Sequence, residues 1–237
     1  MPRSVFDQEL HTLQGQIVRL GTLVEQALIH ALTALENRDR ALCGQVIAED
    51  VEIDTLRIEI EQQAFRLLTL QQPVGGRDLR LLTATITLVG DLERAGDGAS
   101  GIARLLLRMF PLQEAKPLSE EQVALKDVLA LGQEAQRVLH ATVQAFATLD
   151  VQAARYYWQE DDVVDVRYHM IRHDLMTLLQ GNHALPALKQ DTLIMQRITY
   201  LLWIAHKLER MADHCGNVCE RIVFIVEGDA EISSSDE

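Results

Sequence analysis

Aromatic residues are scarce in this chain, at 5% of 237 positions, while Leu, Ala, Ile and Val dominate a hydrophobic content of 48%. That balance disfavours a sheet core and suits helices packed along aliphatic seams. Cysteine is also sparse. Cys43, Cys215 and Cys219 are odd in number and lack the spacing of a Cys-rich zinc site, so neither a disulfide framework nor a zinc ribbon is expected. Basic residues are outnumbered, 22 against 35 acidic ones, and the formal net charge of −13 makes nucleic acid or an anionic membrane an unfavourable partner. No apolar run approaches the ~18 residues of a membrane span, and Met1–Asp7 hold no apolar signal core, so no membrane insertion and a cytoplasmic location are expected. A serine-nucleophile motif, a phosphate-cradling glycine loop and a dinucleotide fingerprint are all missing, which leaves catalysis without positive support.

Periodicity is what the chain has in abundance. Leu13, Ile17, Leu20, Val24, Leu28, Ala31 and Leu35 recur at steps of three and four, along one face of a long first helix. Asp39 is placed to cap a second helix through Val46, Ile53, Leu56, Ile60, Ala64 and Leu67, which stops before Pro73. A third helix carries Leu81, Leu88, Leu92, Ala95, Ala99, Ile102 and Leu106. The second part repeats the plan. A fourth helix leads to a cap at Asp150, a fifth continues to Gly181-Asn182, and a sixth has the seam Leu201, Ile204, Leu208, Met211, Cys215, Val218 and Ile222. Short connections make successive helices antiparallel neighbours. The expected fold is all-α: six long helices in two tandem antiparallel three-helix bundles, residues 1–113 and 114–237, the second with a short acidic tail from Asp229.

The bundles are related by internal duplication. Leu92-Glu93-Arg94-Ala95-Gly96-Asp97 recurs as Leu208-Glu209-Arg210-Met211-Ala212-Asp213, with 209 − 93 = 116 and 213 − 97 = 116. The second helices repeat as well: Glu49, Asp50 and Asp54 correspond to Glu160, Asp161 and Asp165, with 160 − 49 = 111 and 165 − 54 = 111. A Glu and an Asp four residues apart on a helix lie side by side, roughly 6 Å along the axis, and repel by a few tenths of a kcal/mol. A cation would turn that cost into a gain. Glu49 and Glu160 are expected on the apolar seam itself, where an unpaired carboxylate is costly. If the second and third helices of each half face one another, their acids converge on an oxygen-rich cluster suited to iron, manganese or magnesium, or, with His206 or His214, to zinc. His206 precedes Glu209 by one turn and Asn217 follows Asp213 by one turn; Gly90 and Gly101 stand in their places in the first copy. Two competing readings remain. In one, Arg94 and Arg210 neutralise the acids and the chain is a metal-free helical adaptor; in the other it is a carboxylate-bridged di-iron enzyme, although the Glu-x-x-His spacing of that class is absent.

Gln72-Pro73, Arg77-Asp78-Leu79-Arg80-Leu81, the two Leu-Glu-Arg-x-x-Asp copies and Asn217 together resemble the PhoU family of phosphate-signalling proteins, over nearly the whole chain. The resemblance implies two three-helix bundles with pseudo-twofold symmetry. It implies a regulator that lowers phosphate uptake and phosphate-starvation signalling when phosphate is plentiful. Its implied partners are the ATPase subunit of a phosphate ABC transporter and a sensor histidine kinase, and a homodimer is expected. It also implies multinuclear iron or zinc on the Glu-x-x-x-Asp motifs, which carries a metal role to Glu93, Asp97, Glu209, Asp213 and Asn217. Gly98 and Gly101 depart from the His and Asn common in the family, so the C-terminal site is expected to be the firmer one.

Overall fold

The computed structural model describes residues 2–114, 119–180 and 192–228, and these are helical almost throughout. The helices are α1 (Arg3–Asn37), α2 (Arg40–Leu70), α3 (Gly76–Met109), α4 (Ser119–Thr148), α5 (Val151–Gln159), α6 (Asp161–Gln180) and α7 (Thr192–Glu227), with a 3-10 helix, Phe110–Glu114, after α3. The plan of six long helices stands, with the fifth interrupted. At Glu160 the amide still donates to Tyr156 O, but Val163 N donates to Glu160 O, an i→i+3 bond that tightens one turn and separates α5 from α6. The expected acidic tail, 229–237, and the connection 181–191 lie outside the described residues.

The first turn of each half is made the same way. Arg38 (φ 57°) and Leu149 (φ 51°) occupy the left-handed region that closes a helix, an uncommon conformation for side chains other than glycine, and 149 − 38 = 111. The next residue is the capping aspartate expected from sequence. Asp39 Oδ1 accepts from the amides of Ala41 and Leu42 at 2.9 and 3.0 Å, and Asp150 Oδ1 from that of Ala153 at 3.0 Å. Each cap satisfies orphan donors and contributes about 1 kcal/mol.

The predicted α1 seam, Leu13 to Leu35, is buried and belongs to one continuous aliphatic core that runs through both halves. Each fully buried Leu or Ile contributes roughly 1.5–3 kcal/mol. The halves join along two seams. At the first, Gly21 of α1 lies under Val143 of α4, and Gly132 of α4 lies under Leu32 of α1; added Cβ atoms would come within 2.5 and 2.3 Å of those side chains. The two contacts are copies of each other, since 132 − 21 = 111 and 143 − 32 = 111. At the second and more extensive seam, α3 and α7 pack antiparallel. The Arg80 guanidinium near the start of α3 donates to the carbonyls of Ile225 and Val226 at 3.1 Å, capping the end of α7 with a cation. No helix among the described residues is long and apolar enough to cross a membrane.

Candidate functional site

The acidic positions of the second half converge. Asp165 on α6 and Glu209 and Asp213 on α7 each offer a carboxylate oxygen within 4.8 Å of the other two. They are half-buried. Burial, and then the neighbouring Asp213, raises Glu209 above its ordinary value; burial, and then Asp165, raises Asp213, against a lowering by Arg210. Glu209 Oε2 and Asp165 Oδ1 are shielded from solvent without a hydrogen-bond partner. His206 Nδ1 lies 3.1 Å from the former, on an imidazole that is half exposed. Tyr168, stacked 5.9 Å from the His206 ring, closes the side toward α6 but carries no positive charge. Three convergent carboxylates, two of them with an orphaned oxygen, form a hard-ligand set suited to a divalent or trivalent cation.

The first half places the same acid types at the same offsets but interleaves them with cations. Arg57 Nε is 3.7 Å from Glu93 Oε1 while its Nη1 pairs with Glu61 at 2.7 Å. Arg104 Nη2 donates to Asp50 Oδ2 at 3.2 Å, and Ser100 Oγ donates to the same oxygen at 2.7 Å. Lys207 reaches across from α7 over Gly101, where a Cβ would come within 2.5 Å of its Nζ. Glu93 is raised by burial, then by Asp97 and Asp54, and lowered by Arg57 and Arg94; Asp97 is raised by burial, then by Asp50 and Asp54, and lowered by Arg104 and Lys207. The aligned positions of the second half differ: Tyr168 stands for Arg57 (168 − 57 = 111), Glu220 for Arg104 and Asp91 for Lys207 (both at 116).

Some predicted site residues go elsewhere. Glu49 does not hold the seam position. The inward phase runs Val46, Asp50, Ile53, so Asp50 is the buried acid, at 8% exposure, and Glu49 turns toward Gln45 and to His30 Nδ1 at 3.2 Å. Glu160 likewise leaves the seam where the helix is interrupted, and accepts a hydrogen bond from Arg137 of α4. Asn217 donates to Asp91 Oδ1 at 3.2 Å, beside His214 Nδ1 at 3.1 Å from the same oxygen, so both face α3. Asp54 is exposed but near enough to act on Glu93 and Asp97. The side chain of Asp161 lies outside the described residues. Sequence reasoning missed Arg57, Arg104, Lys207, Asp91 and Tyr168; comparing charges position by position at the two offsets would have exposed them.

Fold and site thus define a class: a duplicated helical-bundle protein with an acidic cluster in each repeat. The family model described as the PhoU domain matches twice, over residues 17–106 and 128–222, either side of the expected 113/114 boundary. The chain belongs to the PhoU family. It is 33% identical over 223 residues to the phosphate-specific transport system accessory protein PhoU of Edwardsiella tarda, covering 94% of this chain and 85% of that one. It is 34% identical over 224 residues to the PhoU homolog of Caulobacter vibrioides strain NA1000 / CB15N, covering 94% and 90%. The crystal structure of the phosphate transport system regulatory protein PhoU from Streptococcus pneumoniae superposes with a TM-score of 0.81 at 29% identity, covering 95% and 99% of the two chains. These relatives are named as accessory or regulatory proteins, not as enzymes.

Proposed function

We propose that this chain is a cytoplasmic regulator of a phosphate-specific transport system. It restrains phosphate uptake and starvation signalling when phosphate is plentiful, and it acts by docking on partner proteins rather than by catalysis. The observation that carries this reading is the near full-length relation to accessory proteins of such systems. The partners that fit are the ATPase subunit of the transporter and its sensor histidine kinase. A cell lacking the chain is expected to keep phosphate uptake and starvation genes high in phosphate-rich medium; unchanged uptake and gene expression would contradict the reading.

Within that role, Asp165, Glu209 and Asp213 hold a metal ion of the iron, manganese, zinc or magnesium type, with His206 at its edge. The orphaned oxygens of Asp165 and Glu209 and the raised proton affinities of Glu209 and Asp213 support this, because a cation relieves both. Bound there, the ion ties α6 to α7 and so stiffens the second half. The first half needs no such ion. Arg57, Arg104 and Lys207 supply the positive charge from the chain itself.

A further inference from the structure

The second motif element that the duplication repeats is Arg94 and Arg210, which lower Glu93 and Asp213 through space without an ion pair to either among the described residues. Across the α3–α7 seam Gly98 faces Lys207 and Asp91 faces His214, two pairs that the 116-residue offset exchanges. Arg94 lies midway between positions 91 and 98 and Arg210 midway between 207 and 214, so the pseudo-twofold brings these two equivalent residues together. Both line one cavity of about 220 Å³, together with Lys207 and His214. Its apolar part is Met211 closed against Gly98, where a Cβ would come within 2.7 Å of Met211 Cγ.

Two guanidinium groups facing one cavity across an axis repel each other. On one side the repulsion is offset, because Arg94 Nη1 lies 3.4 Å from Asp91 Oδ1. On the other side it is made worse. The residue equivalent to Asp91 is Lys207, and neither Lys207 nor Arg210 forms an ion pair among the described residues. In a chain of net charge −13, Arg94, Lys207 and Arg210 gathered on one cavity with a single carboxylate, Asp97, leave an excess of positive charge that marks a place for an anion.

We infer that this cavity binds inorganic phosphate in a form that retains a P–OH. Guanidinium forks and an ammonium group present convergent donors to a tetrahedral oxyanion. Asp97 makes the choice among oxyanions: its carboxylate accepts a hydrogen bond from a P–OH but repels sulfate, which carries no proton near neutral pH. A phosphomonoester, with a second pKa of about 6, is mostly unprotonated there too, so the free ion is favoured over a phosphorylated side chain. The site lies outside the Asp165–Glu209–Asp213 cluster, does not depend on a metal, and would give the regulator a direct reading of phosphate supply.

The test is calorimetric titration of the full chain, kept in excess chelator at low salt, with inorganic phosphate, sulfate and O-phosphoserine in parallel. One equivalent of phosphate is expected to bind, with sulfate and phosphoserine at least about tenfold weaker. Arg210→Gln and Lys207→Met should each weaken phosphate about tenfold, while the charge-conserving Arg210→Lys retains most of the affinity. Asp97→Asn should let sulfate approach phosphate. Circular dichroism of each variant separates lost folding from lost binding. The inference is overturned if phosphate does not bind, if sulfate binds equally well to the wild-type chain, or if folded Arg210→Gln and Lys207→Met bind phosphate unchanged. Tighter binding of phosphoserine would also overturn it, in favour of a phosphorylated partner.

Discussion

The two halves of this protein share a scaffold and differ in charge. Left-handed turn residues, capping aspartates and the glycines at the α1–α4 contact repeat at an offset of 111, and the seams of α3 and α7 at 116. Beside the acids they diverge: Arg57 against Tyr168, Arg104 against Glu220, and Lys207, which serves the first half, against Asp91. Duplication preserves what packing requires, because a change of volume in a close-packed interior costs 1–3 kcal/mol or so. A half-buried face is freer. Three changes there set cations beside the first cluster, which keeps one orphaned carboxylate oxygen, Asp50 Oδ1, and leave the second with two, on Asp165 and Glu209.

The largest way to break this comparison is to remove acids from each half in turn. Glu209→Gln and Asp213→Asn should weaken metal retention on the order of 100-fold or more, whereas Glu93→Gln and Asp97→Asn should leave it nearly unchanged, as read by equilibrium dialysis with elemental analysis. A gain-of-function variant comes next. Arg57→Tyr combined with Lys207→Ala takes two cations from the first cluster; metal-free stability in urea should fall by roughly 1–2 kcal/mol, and added metal should restore it with a second equivalent bound.

The α1–α4 contacts give a smaller, sharper comparison. Gly21→Ala forces its methyl against stiff, β-branched Val143 and should cost about 1 kcal/mol net of helix propensity, while Gly132→Ala meets the end of flexible Leu32 and should cost less. The smallest expected effect is on pH dependence. Glu209 and Asp213 hold their protons more tightly folded than unfolded, so their contribution to metal-free stability falls as pH rises from about 4 through their raised folded values, and stays low above them. Wild type minus the Glu209→Gln/Asp213→Asn double variant should show that decline in thermal melts, and bound metal should reverse it.

The fold was legible because its causes are local and periodic. Seams such as Leu13 to Leu35, the caps Asp39 and Asp150, and the breaks at Pro73 and near Pro111 each act over a few residues, and all appear where the pattern places them. The acids on α7 and Asp165 were legible for the same reason, repeated spacing. Glu49 was misplaced because steps of three and four from Val46 reach both 49 and 50, and only the neighbouring helix decides which turns inward. Ser100 and Arg104 of α3 take Asp50. Lys207 was invisible as a first-half residue because it crosses a seam between repeats, 110 positions from Asp97 in sequence (207 − 97 = 110). Helical periodicity carries no information on that distance.

The most direct measurement is the anomalous scattering of crystals reconstituted anaerobically with iron or manganese, collected at the metal edge. A peak is expected among Asp165, Glu209 and Asp213 and none beside Glu93 and Asp97. Equal peaks in both halves, or a peak in the first half alone, would contradict that expectation.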